Sequence, residues 1–323
     1  MKIILFFQFH PFIQLLILIA LIIAGFCIAS FIMIIIGLII FGEGYWNVIS
    51  SLSNNSPEDV RIFLKWMQGF LQISMMLIPS LVFIKFYDNE LFKIQRDNKI
   101  KNYLCILLPI IMSFFVLPAV VLLNDWNNDI IFPDFLLSVE QYLRNLENAA
   151  AEITKIILHA KTGWGLLLNL IIIAVIPAIS EEFLFRGALQ NLLKRWFKNV
   201  HWAVIVAALI FSAVHGQFFG FLPRFALGLM LGYLFVTINS IWAPITAHFV
   251  NNGTATVVAF LESKGIIETT AEEFGIMNNS ELWGFISITL TIMFFYLLWK
   301  KNKREEIQNE TVNKQCINNL TTS

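Results

Sequence analysis

Ionisable and amide side chains interrupt three long apolar stretches of the sequence. An ionised group at the centre of a bilayer costs about 2.5–3.5 kcal/mol on insertion scales, so such residues usually serve a function. A carboxylate combined with imidazole and amide groups can activate water and stabilise the oxyanion of a hydrolytic reaction. The candidate catalytic residues are Glu181, His215, His248 and Asn252, and the candidate supporting residues are Glu182 and Arg186.

The two adjacent glutamates are expected to have different partners. Glu182 and Arg186 are four residues apart on one helix face, with the glutamate on the favoured N-terminal side, so they can pair. Glu181 points about 100° away from that face. We therefore expect the arginine to neutralise Glu182 and to leave Glu181 available for chemistry. Pro177, four residues before Glu181, frees a backbone carbonyl and can bend the helix at this point.

The depths of the candidate residues in the membrane overlap. At about 1.5 Å per helical residue, Glu181 and His215 both lie roughly 20 Å from the interface. His248 and Asn252 share a helix face and lie roughly 10–20 Å deep on the same scale. A single membrane histidine more often serves packing, and an isolated Glu–Arg pair is more often structural. The coincidence of all these groups predicts that three helices converge on one site.

The composition is that of a membrane protein. Of 323 residues, 58% are hydrophobic and 14% are charged, whereas soluble domains are about half apolar and a quarter charged. The formal net charge is zero, which favours neither a nucleic acid nor another strongly charged partner. Cys27, Cys105 and Cys316 show no metal-binding or redox spacing, and we interpret all three as free thiols.

Hydropathy predicts an all-α, polytopic bundle of about eight transmembrane spans. A spanning helix needs about 20 apolar residues. Lys and Arg concentrate in the second and fourth connections and after the last span, which predicts a multi-pass protein with both termini cytoplasmic. The first apolar run is about twice as long as a secretory h-region, so we expect an uncleaved first span. The expected spans are 13–41, 62–85, 103–123, 164–190, 202–217, 221–238, 241–260 and 281–299.

Three motifs occur together, and their order is that of a known family. The motifs are Glu181-Glu182-xxx-Arg186, Phe211-xxx-His215 and His248-xxx-Asn252. This pattern resembles the signature of the CAAX prenyl protease and bacteriocin-processing family (CPBP, also called Abi) of intramembrane proteases. The resemblance covers roughly 165–256, about a third of the chain.

The resemblance implies a role for each candidate residue. Glu181 would be the general base that activates water, while the Glu–Arg pair would hold the helix and the local charge balance. His215 would orient the water or pass a proton to the leaving amine. His248 and Asn252 would donate hydrogen bonds to the oxyanion of the tetrahedral intermediate.

The need for a metal ion stays open at this stage. Glu181, His215 and His248 are the kinds of ligand found in a three-ligand zinc site with one open position. Against zinc, the sequence lacks the His-Glu-xx-His motif, and an asparagine side chain is a poor zinc ligand. We favour a glutamate-activated water that requires no cofactor, with zinc as the alternative.

The chain divides into four expected parts. Residues 1–163 contain the first three spans and an extramembrane segment with apolar residues at helical spacing, which predicts an amphipathic helix on the membrane or packed on the bundle. Residues 164–260 would be the catalytic core, and 261–301 the last loop and eighth span. Residues 302–323 are expected to form a disordered cytoplasmic tail. Within the spans, Lys65 and Arg224 are expected to extend towards the membrane surface.

The resemblance implies an intramembrane endopeptidase that cleaves a membrane-tethered peptide or protein. We expect the lipid bilayer and such a substrate as partners, and no nucleic acid. The alternative is a non-catalytic membrane protein of bacteriocin self-immunity, although a pure scaffold has no need of four polar residues at this depth. A transporter with the Glu–Arg pair as proton relay is less favoured, because the sequence shows no two matching halves.

Overall fold

The computed structural model describes residues 9–53, 56–87, 104–268 and 281–300, and these residues fold into helices without any strand. We number the helices in chain order. Short 3₁₀ turns, Gly42–Gly44 and Asp134–Leu136, precede α2 and α6. The helices are α1 Pro11–Phe41, α2 Tyr45–Ser50, α3 Glu58–Phe86, α4 Leu104–Phe115, α5 Leu117–Asn128, α6 Leu137–Leu158, α7 Gly163–Phe197, α8 Val200–Ala213, α9 Phe221–Ile238, α10 Trp242–Ser263 and α11 Glu281–Lys300.

The prediction of an all-α, polytopic membrane bundle is confirmed. Five described helices are long and apolar enough to cross a membrane, and α4 with α5 makes a sixth if the bent pair is one span. The two other expected spans are also helical but differ in character. α8 has only 14 residues, while α10 has 22 residues and carries more polar side chains along its length. All eight expected segments are therefore helices, which is consistent with about eight spans.

Two of the expected spans differ from the sequence prediction in their course. The third span is two helices that meet at 41° around Val116, where Pro118 lacks the N–H that would continue the helical hydrogen bonding. The fifth span ends at Ala213, because the chain turns there and Gly216 adopts a positive φ of 66°. His215 therefore lies in a turn rather than within the helix.

Small residues allow the helices to approach closely. The small-xxx-small pair Gly228 and Gly232 in α9 faces α8, and an added Cβ would lie 3.1 Å from Ala208 at the first position and 2.8 Å from Val204 at the second. Pairs of small residues at this spacing are typical of close contacts between membrane helices. In α1, Gly25 lies against the backbone of α3 at Ser74.

The predicted amphipathic helix is α6. Its C-terminal end is buried through Ile156 and Ile157. Most of its apolar stripe, including Tyr142 and Ile153, is exposed. Its polar side contacts the loop after α8, because Glu147 accepts hydrogen bonds from the Gln217 side chain and the Phe219 amide.

Lys65 was expected to extend towards the membrane surface, but its side chain is buried within the protein. Its side chain is only 1% exposed, and Nζ donates to the His159 carbonyl at 2.9 Å. Lys264 donates in the same way to the Lys161 carbonyl, and Asn169 donates to the Leu158 carbonyl. Side chains from α3, from α7 and from the residue after α10 thus fix the connection between α6 and α7.

Several sequence expectations fall outside the described part of the chain. These are the tail after residue 301, most of the basic second connection and Cys316. Cys27 is a free thiol, as expected, and is exposed on α1.

We predict that Gly25→Ala destabilises the bundle. The new Cβ would collide with the Ser74 carbonyl oxygen, which is backbone and cannot rotate away. Overpacking of this kind typically costs about 1–3 kcal/mol. The thermal midpoint of aggregation in detergent should fall relative to wild type. Gly44→Ala is the control, since an added Cβ there meets nothing within 4 Å, and equal midpoints for the two variants would contradict the close contact.

Candidate active site

The predicted pair of Glu182 and Arg186 is present and fully buried. Arg186 Nη1 donates to Glu182 Oε1 at 2.8 Å, and the two side chains are 1% and 0% exposed. His248 Nδ1 donates to the same glutamate oxygen, also at 2.8 Å. A carboxylate only accepts, so Nδ1 carries the proton and Nε2 is the histidine atom left for other partners. The carboxylate therefore fixes both the arginine and the orientation of the imidazole.

Glu181 has a different set of partners, as the helical spacing predicted. Its Oε1 accepts from the Gln72 side chain of α3 at 2.7 Å. Its Oε2 lies 3.8 Å from His248 Nε2. The arginine bonds only Glu182 of the two carboxylates, so Glu181 is held mainly by a neutral amide. Such a carboxylate keeps an oxygen available for a water molecule or a substrate.

His215 reaches the site from the turn after α8. Its Nδ1 lies 2.7 Å from the Phe211 carbonyl, which leaves Nε2 for the space in front of Glu181. The ring packs edge-on against Phe211 at 5.1 Å, and Phe211 also contacts the rings of His248 at 6.1 Å and Phe185 at 5.1 Å. Phe211 thus joins the second motif to the first and the third.

Asn252 lies one turn beyond His248 on α10. Its Nδ2 donates to the Ile173 carbonyl of α7 at 3.2 Å, and its Oδ1 accepts from Asn251. Ile173 lies four residues before Pro177, which has no N–H to donate, and Asn252 donates to the Ile173 carbonyl from α10. The amide is therefore fixed in place with one N–H unassigned.

All four candidate catalytic residues line one cavity of about 400 Å³. This volume is within the range of small-molecule and peptide-end sites. The convergence of three helices, predicted from the overlapping depths, is thus present in the structure. Other polar groups on the wall are Ser113, Asn124, Arg224 and Asn251.

Irregular helix geometry in α7 places the two glutamates. The helix widens to a π-helix at Leu170–Val175 and again at Phe183–Gln190, on either side of the turn that carries Pro177. Single π turns within α-helices are frequent at functional sites. After the second widening, Arg186 and Gln190 donate to the carbonyls of Gly228 and Gly232. Two donors four residues apart thus bond two carbonyls four residues apart on α9.

The three possible zinc ligands do not form a metal site as they lie. In the described part of the chain, no group of three His, Cys, Asp or Glu side chains could hold a metal ion. His248 Nε2 and Glu181 Oε2 lie 3.8 Å apart, a separation that two ligands of one metal ion can have, but no third side chain completes the group. The described residues as they lie do not form a three-ligand zinc site, and no chemical step below passes through a metal.

Four residues of the site were not found from the sequence as part of it. Gln72, Ser113 and Asn124 come from the first half of the chain, where no motif marks them. Arg224 was expected to extend towards the membrane surface but lines the cavity instead. Each of the four is a polar side chain within or beside an apolar span. Such a residue was assigned to the site only where it belonged to one of the three motifs.

The region that contains the candidate site is similar to one known protein family. Residues 163–254 match the family profile described as type II CAAX prenyl endopeptidase, Rce1-like. We call this segment the Rce1-like domain, after the profile to which it is similar. The match contains all three motifs and agrees with the resemblance to the CPBP family. Helices α1 to α6 and α11 lie outside the match, so Gln72 of α3 contacts the Rce1-like domain from outside it.

One curated relative is similar over part of the chain. The chain is 30% identical over 86 residues to YpbD, an uncharacterised protein of Bacillus subtilis (strain 168). The similarity covers 25% of this chain and 41% of the relative, so the chain spans less than half of that protein. No solved structure matches the chain.

We predict that Arg186→Leu strongly destabilises the Rce1-like domain. The substitution leaves the fully buried Glu182 carboxylate without its cation, and breaking a buried pair in this way costs about 3–5 kcal/mol. The thermal midpoint in detergent should fall by many degrees or the protein should fail to accumulate. Lys194→Leu, an exposed cation on the same helix, should leave the midpoint near wild type. Similar midpoints for both variants would contradict a structural role for the buried pair.

Proposed function

We propose that the protein is an intramembrane endopeptidase that hydrolyses a peptide bond in a membrane-tethered peptide or protein. The observation that carries the proposal is the position of Glu181. It lines the cavity together with His215, His248 and Asn252, while the neighbouring glutamate is neutralised by arginine. The Rce1-like profile supports a CAAX-type protease at the family level.

The first step needs a base and a bound water. Glu181 accepts a proton from a water molecule in the cavity, and the water oxygen attacks the carbonyl carbon of the scissile bond. Gln72 holds one oxygen of this carboxylate at 2.7 Å, so the other oxygen has a defined direction. The apolar walls limit the access of bulk water, which strengthens the electrostatic contacts of the reacting atoms.

The negative charge that develops on the carbonyl oxygen needs donors. In the imidazolium form of His248, Nε2 donates to the oxyanion and Glu182 serves as counter-ion at Nδ1. The unassigned N–H of Asn252 is a second donor on the same helix, one turn away. When the C–N bond breaks, the leaving amine takes the proton that Glu181 accepted, directly or through His215.

The substrate is proposed to enter from the bilayer rather than from bulk solvent. Glu181, His248 and Asn252 lie on helices of a multi-pass membrane protein and His215 lies in the turn after α8, so a peptide tethered to the membrane can approach them from the bilayer. We place both chain termini on the cytoplasmic side, on the basis of the Lys and Arg distribution. We also propose residues 164–260 as the catalytic core, supported by α3, α4 and α5 from outside it.

The proposal predicts that Glu181→Gln abolishes hydrolysis. Purified protein in nanodiscs should cleave members of a library of membrane-anchored peptides, and loss of the base should slow cleavage by about 10²–10⁴-fold. His248→Ala should lose about 10²–10³-fold. Glu262→Gln, an exposed glutamate on α10, is the matched control. Equal cleavage by wild type and Glu181→Gln would exclude the mechanism, and no cleavage at all by wild type would favour the non-catalytic alternative.

Gln72→Leu should lower kcat with little change in KM. The variant removes a hydrogen bond to a charged group that orients the proposed base, worth about 1.5–3 kcal/mol, or roughly 10–100-fold in rate. Gln68→Leu makes the same change one turn earlier on α3, where no hydrogen bond to the site is present, and should keep the wild-type kcat. Equal kcat values for the two variants would show that α3 does not contribute to the site.

Cleavage should survive removal of metal ions. Among the described residues, no three His, Cys, Asp or Glu side chains lie close enough together to hold a metal ion, and the proposed base acts on water directly. Activity measured after incubation with EDTA should equal activity after incubation with EDTA already saturated with zinc. Loss of activity in the first sample, with recovery on added zinc, would show that the enzyme is a metalloprotease.

A further inference from the structure

Arg224 lies on the wall of the catalytic cavity, and the nearby carboxylate of Glu147 is linked to it only through Gln217. It stands in the first turn of α9, and its side chain lines the same cavity as Glu181 and His215. Nη2 donates to Gln217 Oε1 at 2.5 Å, and Nη1 donates to the Gln217 carbonyl at 3.4 Å. Among the residues that the structure describes, no carboxylate lies within the 4.0 Å that defines an ion pair with this guanidinium.

The guanidinium is held in position by its surroundings. Gln217 is itself fixed, because its Nε2 donates to Glu147 of α6 at 3.1 Å. Glu147 uses its second oxygen for the Phe219 amide, so both of its oxygens already have partners. Gly220 makes room for the group, since an added Cβ would lie 2.7 Å from Cζ of Arg224 and closer still to Nη1.

This arrangement differs from that of Arg186, the fully buried arginine of the domain. Arg186 is neutralised by Glu182 at 2.8 Å, whereas Arg224 is bonded only to a neutral glutamine. An arginine carries five N–H donors in a rigid fork that matches a carboxylate, and the two bonds to Gln217 leave N–H groups unassigned. Arg224 is half-buried on the cavity wall, and no described carboxylate bonds its unassigned N–H groups. The ligand that matches these donors is an anion that enters the cavity.

We propose that Arg224 binds a carboxylate of the peptide substrate and so determines which peptides are cleaved. This inference rests on the proposed peptidase function and adds a substrate class to it. The carboxylate has two possible sources, the C-terminal carboxylate of the peptide or an Asp or Glu side chain near the scissile bond. In both cases Gln217 is a positioning residue that aims the guanidinium, and Glu147 supports it from α6.

The test uses three versions of one N-palmitoylated, fluorophore-labelled hexapeptide of alanine, serine and valine. The first has a free C-terminal carboxylate, the second has a C-terminal amide, and the third has the amide together with one aspartate. Binding to Glu181→Gln protein in nanodiscs is measured by fluorescence polarisation, and kcat/KM is measured with wild type. We expect one of the two acidic peptides to exceed the neutral amide by roughly 10–100-fold in binding affinity and in kcat/KM, which is the range of charge-assisted hydrogen bonds. The acidic peptide that is preferred identifies the source of the carboxylate.

The variants decide whether Arg224 is responsible. The ratio compared is the affinity, or kcat/KM, for the preferred acidic peptide divided by that for the neutral peptide. Arg224→Gln should reduce this ratio to about one, and Gln217→Leu should reduce it in part. The ratio is taken within one protein, so a lower folded fraction does not change it. Lys194→Gln, an exposed cation, should keep the wild-type ratio.

The outcomes separate this inference from the proposed function. The carboxylate site is overturned if acidic and neutral peptides behave alike when Arg224 is present, or if the preference for the acidic peptide persists in Arg224→Gln. Either result holds even if Glu181 proves essential for cleavage. If wild type cleaves none of the peptides, the binding ratios still test the carboxylate site, while the peptidase assignment fails on its own.

Discussion

One carboxylate oxygen connects most of the candidate site. Glu182 Oε1 accepts from both Arg186 and His248 at 2.8 Å, and all three side chains are buried. A buried charge is tolerated only when it is paired, so the three positions must be occupied together. Because the arginine also donates to Gly228, the same oxygen indirectly connects α7, α9 and α10. The orientation of His248 depends directly on this ion pair, and Glu181 is the neighbouring residue on the same helix.

The polar centre is possible because the helices around it pack very closely. Gly228 and Gly232 bring the backbone of α9 within reach of side chains from α7, and their carbonyls accept from Arg186 and Gln190. In lipid, a polar side chain without a partner costs several kcal/mol, so each donor must find an acceptor inside the protein. Small residues at the contact let the backbones approach, and the polar residues opposite them bond the carbonyls that come within reach.

The sequence predicted those features that depend on local spacing. The Glu182–Arg186 pair follows from an i,i+4 relation within one helix, and the eight helical segments follow from hydropathy. The bond between His248 and Glu182 joins residues 66 positions apart, and no periodicity shows it. The same reason explains why Gln72 and Arg224 were not assigned to the site. His215 was placed within a helix because the apolar run continues to Val214, whereas the positive φ of Gly216 ends it.

The division of labour between the two glutamates is the central claim, and a paired measurement on Glu181→Gln and Glu182→Gln tests it most directly. Thermal midpoint and peptide cleavage are measured on the same nanodisc preparations. The account predicts a midpoint near wild type with cleavage lost for Glu181→Gln, and a clearly lower midpoint for Glu182→Gln. A Glu181→Gln protein that still cleaves, or a Glu182→Gln protein as stable as wild type, would contradict it.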